Sequence, residues 1–395
     1  LTGIVFWVCV ALILYTYAGY PLLLALLAHL RPKPSFEPTY TPTVTLLIAA
    51  YNEQAVIARK LDNSLALDYP ADRLQIVVAA DGSDDQTREI VQRYRERGVL
   101  LSYRTERQGK MAAINHAMRL ATGEIIVFSD ANNLYAPDTL RRLAAPFALG
   151  RVGAVSGAKR IVADEDALSA SEGLYWKYES FIKQQESRLG TCIGSPGEVF
   201  ALRRNLFDPP PAQIINDDFY MAMQVVRKGY RVLYIPEARS YERASASAQD
   251  EITRRARIVA GRYQAMTYAG RFLTLRNPVA AWQVISHKFL RPLVPLGMAG
   301  ALIANALAVI LPPPAGPLRL LRLAPPYNWG LLTLQGLFYL AAWFGSAFKP
   351  GGMIGKALYL PTFLVNSNMA AVIGLYRHLT GRQTVLWERV ARHED

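Results

Sequence analysis

Four long stretches of this chain are nearly free of charge: Ile4–Leu30, Leu293–Leu311, Trp329–Phe348 and Ala357–Tyr376. A bilayer core takes roughly 20 apolar residues in a helix, so each stretch is long enough to cross one. Between the first stretch and the other three, residues 31 to 277 have the composition of a soluble domain. The first stretch is too long for a signal peptide and lacks a small-residue cleavage site, so it is expected to be a retained anchor. The expected organisation is an anchor over 1–30, a proline-rich linker over 31–42, a folded domain over 43–277, an interfacial amphipathic helix over 278–292, spans within 293–376 and a basic tail over 377–395. In 278–292, Val279, Trp282, Ile285 and Phe289 fall near one face of a regular helix.

The last apolar stretch breaks the simple topology. It contains Pro361, Asn366, Ser367 and Asn368, and three full spans after the domain would put the arginine-rich tail opposite to the positive-inside preference. A re-entrant or bundle-buried segment resolves this.

The formal charge is +13, from 44 basic and 31 acidic residues. No compact block of Lys and Arg with interleaved aromatics appears, so nucleic acid is not the expected partner. Attraction to membrane lipids and to phosphate-bearing substrates accounts for the excess. The two cysteines, Cys9 and Cys192, are far apart and fit a reducing compartment.

The folded region alternates strand and helix. "TVTLLIAA", "LQIVVAA", "VLLSYR", "EIIVFSD" and "VGAVSGA" are apolar runs, with helical patterns after Glu53, over about 85–96 and in "GKMAAINHAMRLA". Such alternation predicts an α/β domain around a mostly parallel sheet. Ligands of these sheets bind beyond the carboxyl ends of the strands. The residues there are Tyr51-Asn52-Glu53, Asp81-Gly82-Ser83 and Asp130-Ala131-Asn132. No Gly-x-Gly-x-x-Gly follows the first strand and no P-loop occurs, which argues against a dinucleotide cofactor and a P-loop ATPase.

Some of these residues have ordinary structural readings. Asp81 suits an Asx-turn, Lys110 a solvated surface, and "GSPGEV" a tight turn. Asp217 and Asp218 stand side by side before a helical run, where one of them could be an N-cap. A cap needs one carboxylate, however, and Asn216 could fill it.

Taken together, "AAYNE", "ADGSDD", "GKMAAINHAM", "SDANN", "GSPGEVFALRR", "NDD" and "RRARIVAGRYQ" resemble, in order and spacing, the family 2 glycosyltransferases, in particular the membrane-embedded branch with cellulose and hyaluronan synthases. The resemblance implies a GT-A fold, with a Rossmann-like, mostly parallel sheet in a cytosolic domain and transmembrane helices at both ends. It implies an inverting hexosyltransferase of the inner or plasma membrane that takes sugar from a nucleotide sugar, with UDP expected as the nucleotide. The acceptor would be a growing polysaccharide or, alternatively, a lipid-linked or other glycan that receives one sugar.

The residues carried over follow the motifs. Asn52, Glu53, Asp81, Lys110, Asp130, Arg254 and Arg257 would bind the donor. Asp130 and Asn132 would hold Mg²⁺ or Mn²⁺, and Gly194, Ser195 and Asp217 would meet the acceptor. Asp218 would be the catalytic base, helped by a neighbouring carboxylate and a partly desolvated pocket. The chain departs from the pattern at Asn132, where the metal motif has a second Asp, and at Ile258, where a tryptophan would floor the acceptor site. A non-catalytic nucleotide-sugar-binding scaffold is the alternative of another class, and the intact Asp218 speaks against it.

Overall fold

The computed structural model describes residues 1–32, 34–36, 39–162, 167–243, 248–274, 276–314, 317–348 and 350–383. Parts of the expected linker (31–42) and most of the expected tail (377–395) lie outside the described residues. Two compact units form, one from Leu24–Asp250 with Tyr268–Gln283, the other from Leu1–Leu23, Glu251–Thr267 and Val284–Arg382.

The first unit is built on an eight-stranded sheet of order β3-β2-β1-β4-β7-β6-β8-β5. The strands are β1 Val44–Ala50, β2 Leu74–Asp81, β3 Val99–Arg104, β4 Ile125–Asp130, β5 Leu134–Tyr135, β6 Val152–Val162, β7 Phe200–Arg203 and β8 Arg231–Arg243. β1 to β4 are parallel, and all seven residues of β1 are buried, as expected for a strand covered on both faces. The register pairs Ala49 with Asp130 and Ala50 with Ala80, so the carboxyl ends of β1, β2 and β4 finish at one level.

Two features depart from the sequence expectation. β7, in "VFALRR", is a strand that its four residues did not announce, and it runs antiparallel to both β4 and β6. β8, which none of the apolar runs read above covers, extends over thirteen residues, with a register irregularity against β6 between Gly157 and Ala158. The helix expected over about 85–96 is shorter, Thr87–Arg93, and the turn after Glu53 becomes helix only at Ile57–Leu65.

The second unit is helical. Helices Thr2–His29, Pro278–Ile310, Tyr327–Phe348 and Gly352–Leu379 are long and apolar enough to cross a membrane. Within this unit, helix Thr2–Leu14 packs on helix Val294–Ile310 at small residues. A Cβ on Gly300 would come within 2.9 Å of Cys9 Sγ, and one on Gly297 within 3.6 Å of the Cys9 carbonyl oxygen. Close backbone approach of this kind is how helices associate where lipid removes the hydrophobic drive.

Gly352–Leu379 is one uninterrupted helix of 28 residues and not a re-entrant loop. Its polar residues are used inside the unit. Asn368 is buried and its Nδ2 donates to Tyr17 Oη at 3.0 Å, while Arg255 Nη1 donates to Ser367 Oγ at 3.2 Å. In the stretch 278–292, Val279 and Ile285 are exposed while Phe289 is buried. A π-turn over Val284–Phe289 adds a residue to the turn and rotates the later side chains.

Candidate active site

Every described residue of this site belongs to the sheet unit. At the end of β1 the backbone of Asn52 is left-handed, φ 53°, a conformation asparagine tolerates better than most residues. Its side chain ties the first strand-end loop to the second. Nδ2 donates to Asp84 Oδ1 at 2.5 Å, Oδ1 accepts from Asp84 N at 3.1 Å, and the Asn52 N–H reaches Ser83 Oγ. Glu53 N donates to Thr87 Oγ1 at 2.8 Å. The two loops are therefore held as one rim.

Asp81 closes β2 and is 4% exposed. Its two oxygens accept the backbone N–H groups of Gln108 (2.9 Å) and Gly109 (2.7 Å). This carboxylate fixes the loop that enters helix Lys110–Ala117, a stronger tie than the Asx-turn its sequence suggested. Gly109 sits at φ 96°, where a side chain would be strained, and it turns the chain into that helix. A cleft opens here, lined by Ala50, Tyr51, Asp81, Arg107, Gly109 and Lys110, with the Arg107 guanidinium 3.9 Å from the centre of the Tyr51 ring. Arg107 carried no motif signal, because its place depends on a loop stacking on a residue 56 positions earlier.

Lys110 is not a solvated surface lysine. Its Nζ lies 2.6 Å from Asp130 Oδ1 at the end of β4, with the lysine side chain 12% and the aspartate side chain 27% exposed. Burial alone would lower the lysine's pKa. The negative charges of Asp130, then Asp217, the hydrogen bond to Asp130, and Glu198 outweigh it and raise the pKa above the usual value. The ammonium thus stays charged through the neutral range, and it lies within electrostatic reach of both ends of the site.

Asp217 and Asp218 are the first two residues of helix Asp217–Arg227, and Asn216 is its N-cap residue, with no side-chain cap bond. The N-cap position itself belongs to Asn216 and to neither aspartate. Asp218 Oδ1 accepts the N–H of Phe219 at 2.7 Å, which fixes the carboxylate at the helix entrance. Its side chain rests against the turn Gly197–Val199, where a Cβ on Gly197 would lie 3.4 Å from Asp218 Cβ and 3.8 Å from its Oδ2. A Cβ there would make ordinary van der Waals contact with the aspartate, whereas a longer side chain would crowd it. Gly197→Leu is expected to displace Asp218 and lower kcat about 10²-fold, the scale of a small misplacement at a reacting centre, with an unchanged circular dichroism spectrum. Wild-type kcat in that variant would show that the contact does not matter.

Ser195 Oγ, in the same loop, is buried and has no hydrogen-bond partner among the described residues, and Gly194 O accepts from Cys192 Sγ at 3.1 Å. Glu198, unforeseen from the sequence, lies 3.3 Å from Lys159 Nζ on β6, and that ammonium also pairs with Glu242 on β8. Arg254 and Arg257 lie on helix Ala248–Thr267, whose residues from Glu251 belong to the helical unit.

Asp130 and Asn132 offer two hard oxygen donors. Among the described residues no group of three His, Cys, Asp or Glu gathers. Such a sparse set does not suit a closed zinc site. It suits Mg²⁺ or Mn²⁺, which take one or two protein carboxylates and complete their shell with water and phosphate oxygens.

Residues 45–208 match the model of glycosyl transferase family 2. The chain is 25% identical to the mannosyltransferase PcManGT of Pyrobaculum calidifontis, solved in complex with GDP-Man and Mn²⁺; the match covers 97% of this chain and 100% of that one, with a TM-score of 0.73. It is 31% identical over 172 residues to a beta-monoglucosyldiacylglycerol synthase of Trichormus variabilis (42% of this chain, 37% of that protein). It is 26% identical over 216 residues to a poly-beta-1,6-N-acetyl-D-glucosamine synthase of Staphylococcus aureus (53% and 52%). The chain thus spans about a third to a half of the length of these two curated relatives.

Proposed function

We propose that this chain, which carries a glycosyl transferase family 2 domain, moves a sugar from a nucleotide sugar to a glycan acceptor at a membrane, with inversion at the anomeric carbon. The observation that carries the proposal is the placement of Lys110 at the end of β4, paired with Asp130 and under the field of Asp217, while the adjacent Asp218 rests against the turn at Gly197. A cation beside one carboxylate, with a second carboxylate held apart from it, divides the site into a leaving-group side and an attacking side.

On the leaving side, the loop held by Asp81 brings Gly109 and Lys110 to the cleft, so backbone N–H groups of the helix entrance and one ammonium face an incoming diphosphate. Asp130 and Asn132 are the residues that would hold a divalent cation, which supplies neutralisation of charge on the departing diphosphate. On the attacking side, Asp218 draws the proton from the acceptor hydroxyl, and its bond from Phe219 N keeps the carboxylate from turning away. Ser195 Oγ, buried and without a hydrogen-bond partner among the described residues, is a ready partner for an acceptor hydroxyl.

The four apolar helices support a membrane protein; its placement in the inner or plasma membrane with the sheet unit in the cytosol is part of the proposal. A growing polysaccharide is the acceptor we favour, in keeping with the poly-N-acetylglucosamine synthase relative. Addition of one sugar to a lipid is the second reading. The glycolipid synthase relative favours it, as does Ile258 in place of a tryptophan that would floor a polymer acceptor.

The test is nucleotide release by the purified chain in lipid, across a panel of UDP- and GDP-sugars, with Mn²⁺ and with a chelator. Release with one donor class, abolished by chelation, is expected. The absence of release from every donor would refute the proposal. Product length on a labelled donor then separates polymer from single addition.

A further inference from the structure

The helix Ile57–Leu65 buries Ile57, Lys60, Leu61 and Ser64, so a lysine occupies its apolar stripe. Lys60 is fully buried, and three acceptors lie within hydrogen-bond distance of its Nζ, enough to use every N–H of the charged form. Nζ donates to Ser129 Oγ (2.7 Å), to the Asn133 carbonyl oxygen (2.9 Å) and to Asn133 Oδ1 (2.8 Å), and it lies 4.3 Å from the centre of the Tyr135 ring. Burial pushes this lysine down to about 7, opposed by the charge of Asp130. An apolar side chain of similar length would fill the space without that cost.

Asn133 is also fully buried, and its amide is saturated. Oδ1 accepts from Lys60 and from Ser129 Oγ (2.9 Å), and Nδ2 donates to the Glu198 carbonyl oxygen and to Ser240 Oγ, each at 2.9 Å. Tyr135 Oη donates to the same Glu198 carbonyl at 2.8 Å. The network therefore runs from the residues flanking Asp130 and Asn132 to the turn Gly197–Val199 that Asp218 leans on. None of its members reaches the cleft, and none is required by the chemistry itself.

We propose that Lys60, Asn133 and Tyr135 form a buried positioning hub that fixes the Ser129–Asn133 turn and the Gly197–Val199 turn in one register, so that the leaving side and the attacking side of the site are set at a constant separation. This rests on the function proposed above. A sugar transferase needs that separation to be exact to within a fraction of an ångström, because a misplaced acceptor leaves the donor open to water. A saturated polar network has one arrangement in which every donor and acceptor is met, whereas an apolar filling would allow several.

Two variants test it in the full chain in lipid. Lys60→Met removes the hub's centre. Tyr135→Phe removes only one hydroxyl and leaves the Lys60–Asn133 bonds in place. Hydrogen exchange is expected to rise about tenfold in peptides covering both 129–135 and 195–199 for Lys60→Met, and in 195–199 alone for Tyr135→Phe, with β2 and β3 unchanged. With a donor that the wild type turns over, the ratio of transfer to donor hydrolysis is expected to fall about tenfold in both variants. Unchanged exchange at 195–199, a uniform rise over the whole sheet, or a wild-type ratio of transfer to hydrolysis would overturn the hub. A wild type that releases no nucleotide would refute the proposed function, while the exchange measurement would still decide the hub.

Discussion

Asparagine at position 218 is expected to leave a folded protein that binds its donor but transfers sugar about 10³-fold more slowly, the middle of the range for removing a general base. The substitution is nearly isosteric. An amide oxygen can still accept the Phe219 N–H that now holds the carboxylate at 2.7 Å, so the helix entrance should keep its shape. What is lost is affinity for the acceptor's proton. Calorimetric titration with the donor and single-turnover transfer separate the two effects. Near-normal turnover would mean that another group takes the proton, and Asp217, the preceding residue on the same helix, would be the first to examine.

The second large effect is expected at Lys110. Lys110→Met leaves Asp130 without its 2.6 Å partner, and it leaves Asp217 and Glu198 without the positive charge they share. On the proposed function, an incoming diphosphate would then face carboxylates alone. We expect kcat/KM to fall about 10²- to 10³-fold, the scale for losing one preorganised charge-stabilising donor. Raising the divalent cation concentration should restore only part of the loss. The pH dependence has a definite sign. Because the folded-state pKa is raised, the lysine is protonated everywhere below its unfolded value near 10.5, and its contribution disappears only as pH climbs through the higher folded value. The wild-type kcat/KM profile should therefore show no limb from Lys110 in the neutral range. A Lys110→Met enzyme with wild-type kcat/KM would remove this residue from the mechanism.

What could be read from the amino-acid order follows a physical division. The ends of β1, β2 and β4 were legible because a strand buried on both faces is a continuous apolar run, and the first polar residue after it marks the ligand side. Asp81, Asp130 and their neighbours announced themselves in this way. β7 did not, since four residues after a turn carry no period, and its antiparallel pairing with β4 and β6 depends on contacts distant in sequence. The engagement of Asp81 by the N–H groups of Gln108 and Gly109 was hidden for the same reason, because the partners lie 27 and 28 residues away. Lys60 is a different case. Its place three residues after Ile57 on an amphipathic helix was visible as a charge in an apolar stripe, a violation of pattern of the kind that marks a constrained site. In 278–292 the regular 3.6-residue period gives way to a π-turn over Val284–Phe289, which the sequence pattern does not announce.

The central claim is that a hydroxyl activated at Asp218 attacks the sugar from the side opposite a diphosphate held at Lys110 and Asp130. The most direct measurement is the anomeric configuration of the first product, read by proton NMR from an α-linked nucleotide sugar turned over by the wild-type chain in lipid. A β-linked product is predicted, because a single in-line displacement inverts the carbon. An α-linked product would contradict the assignment, since retention requires a different arrangement of groups around the sugar.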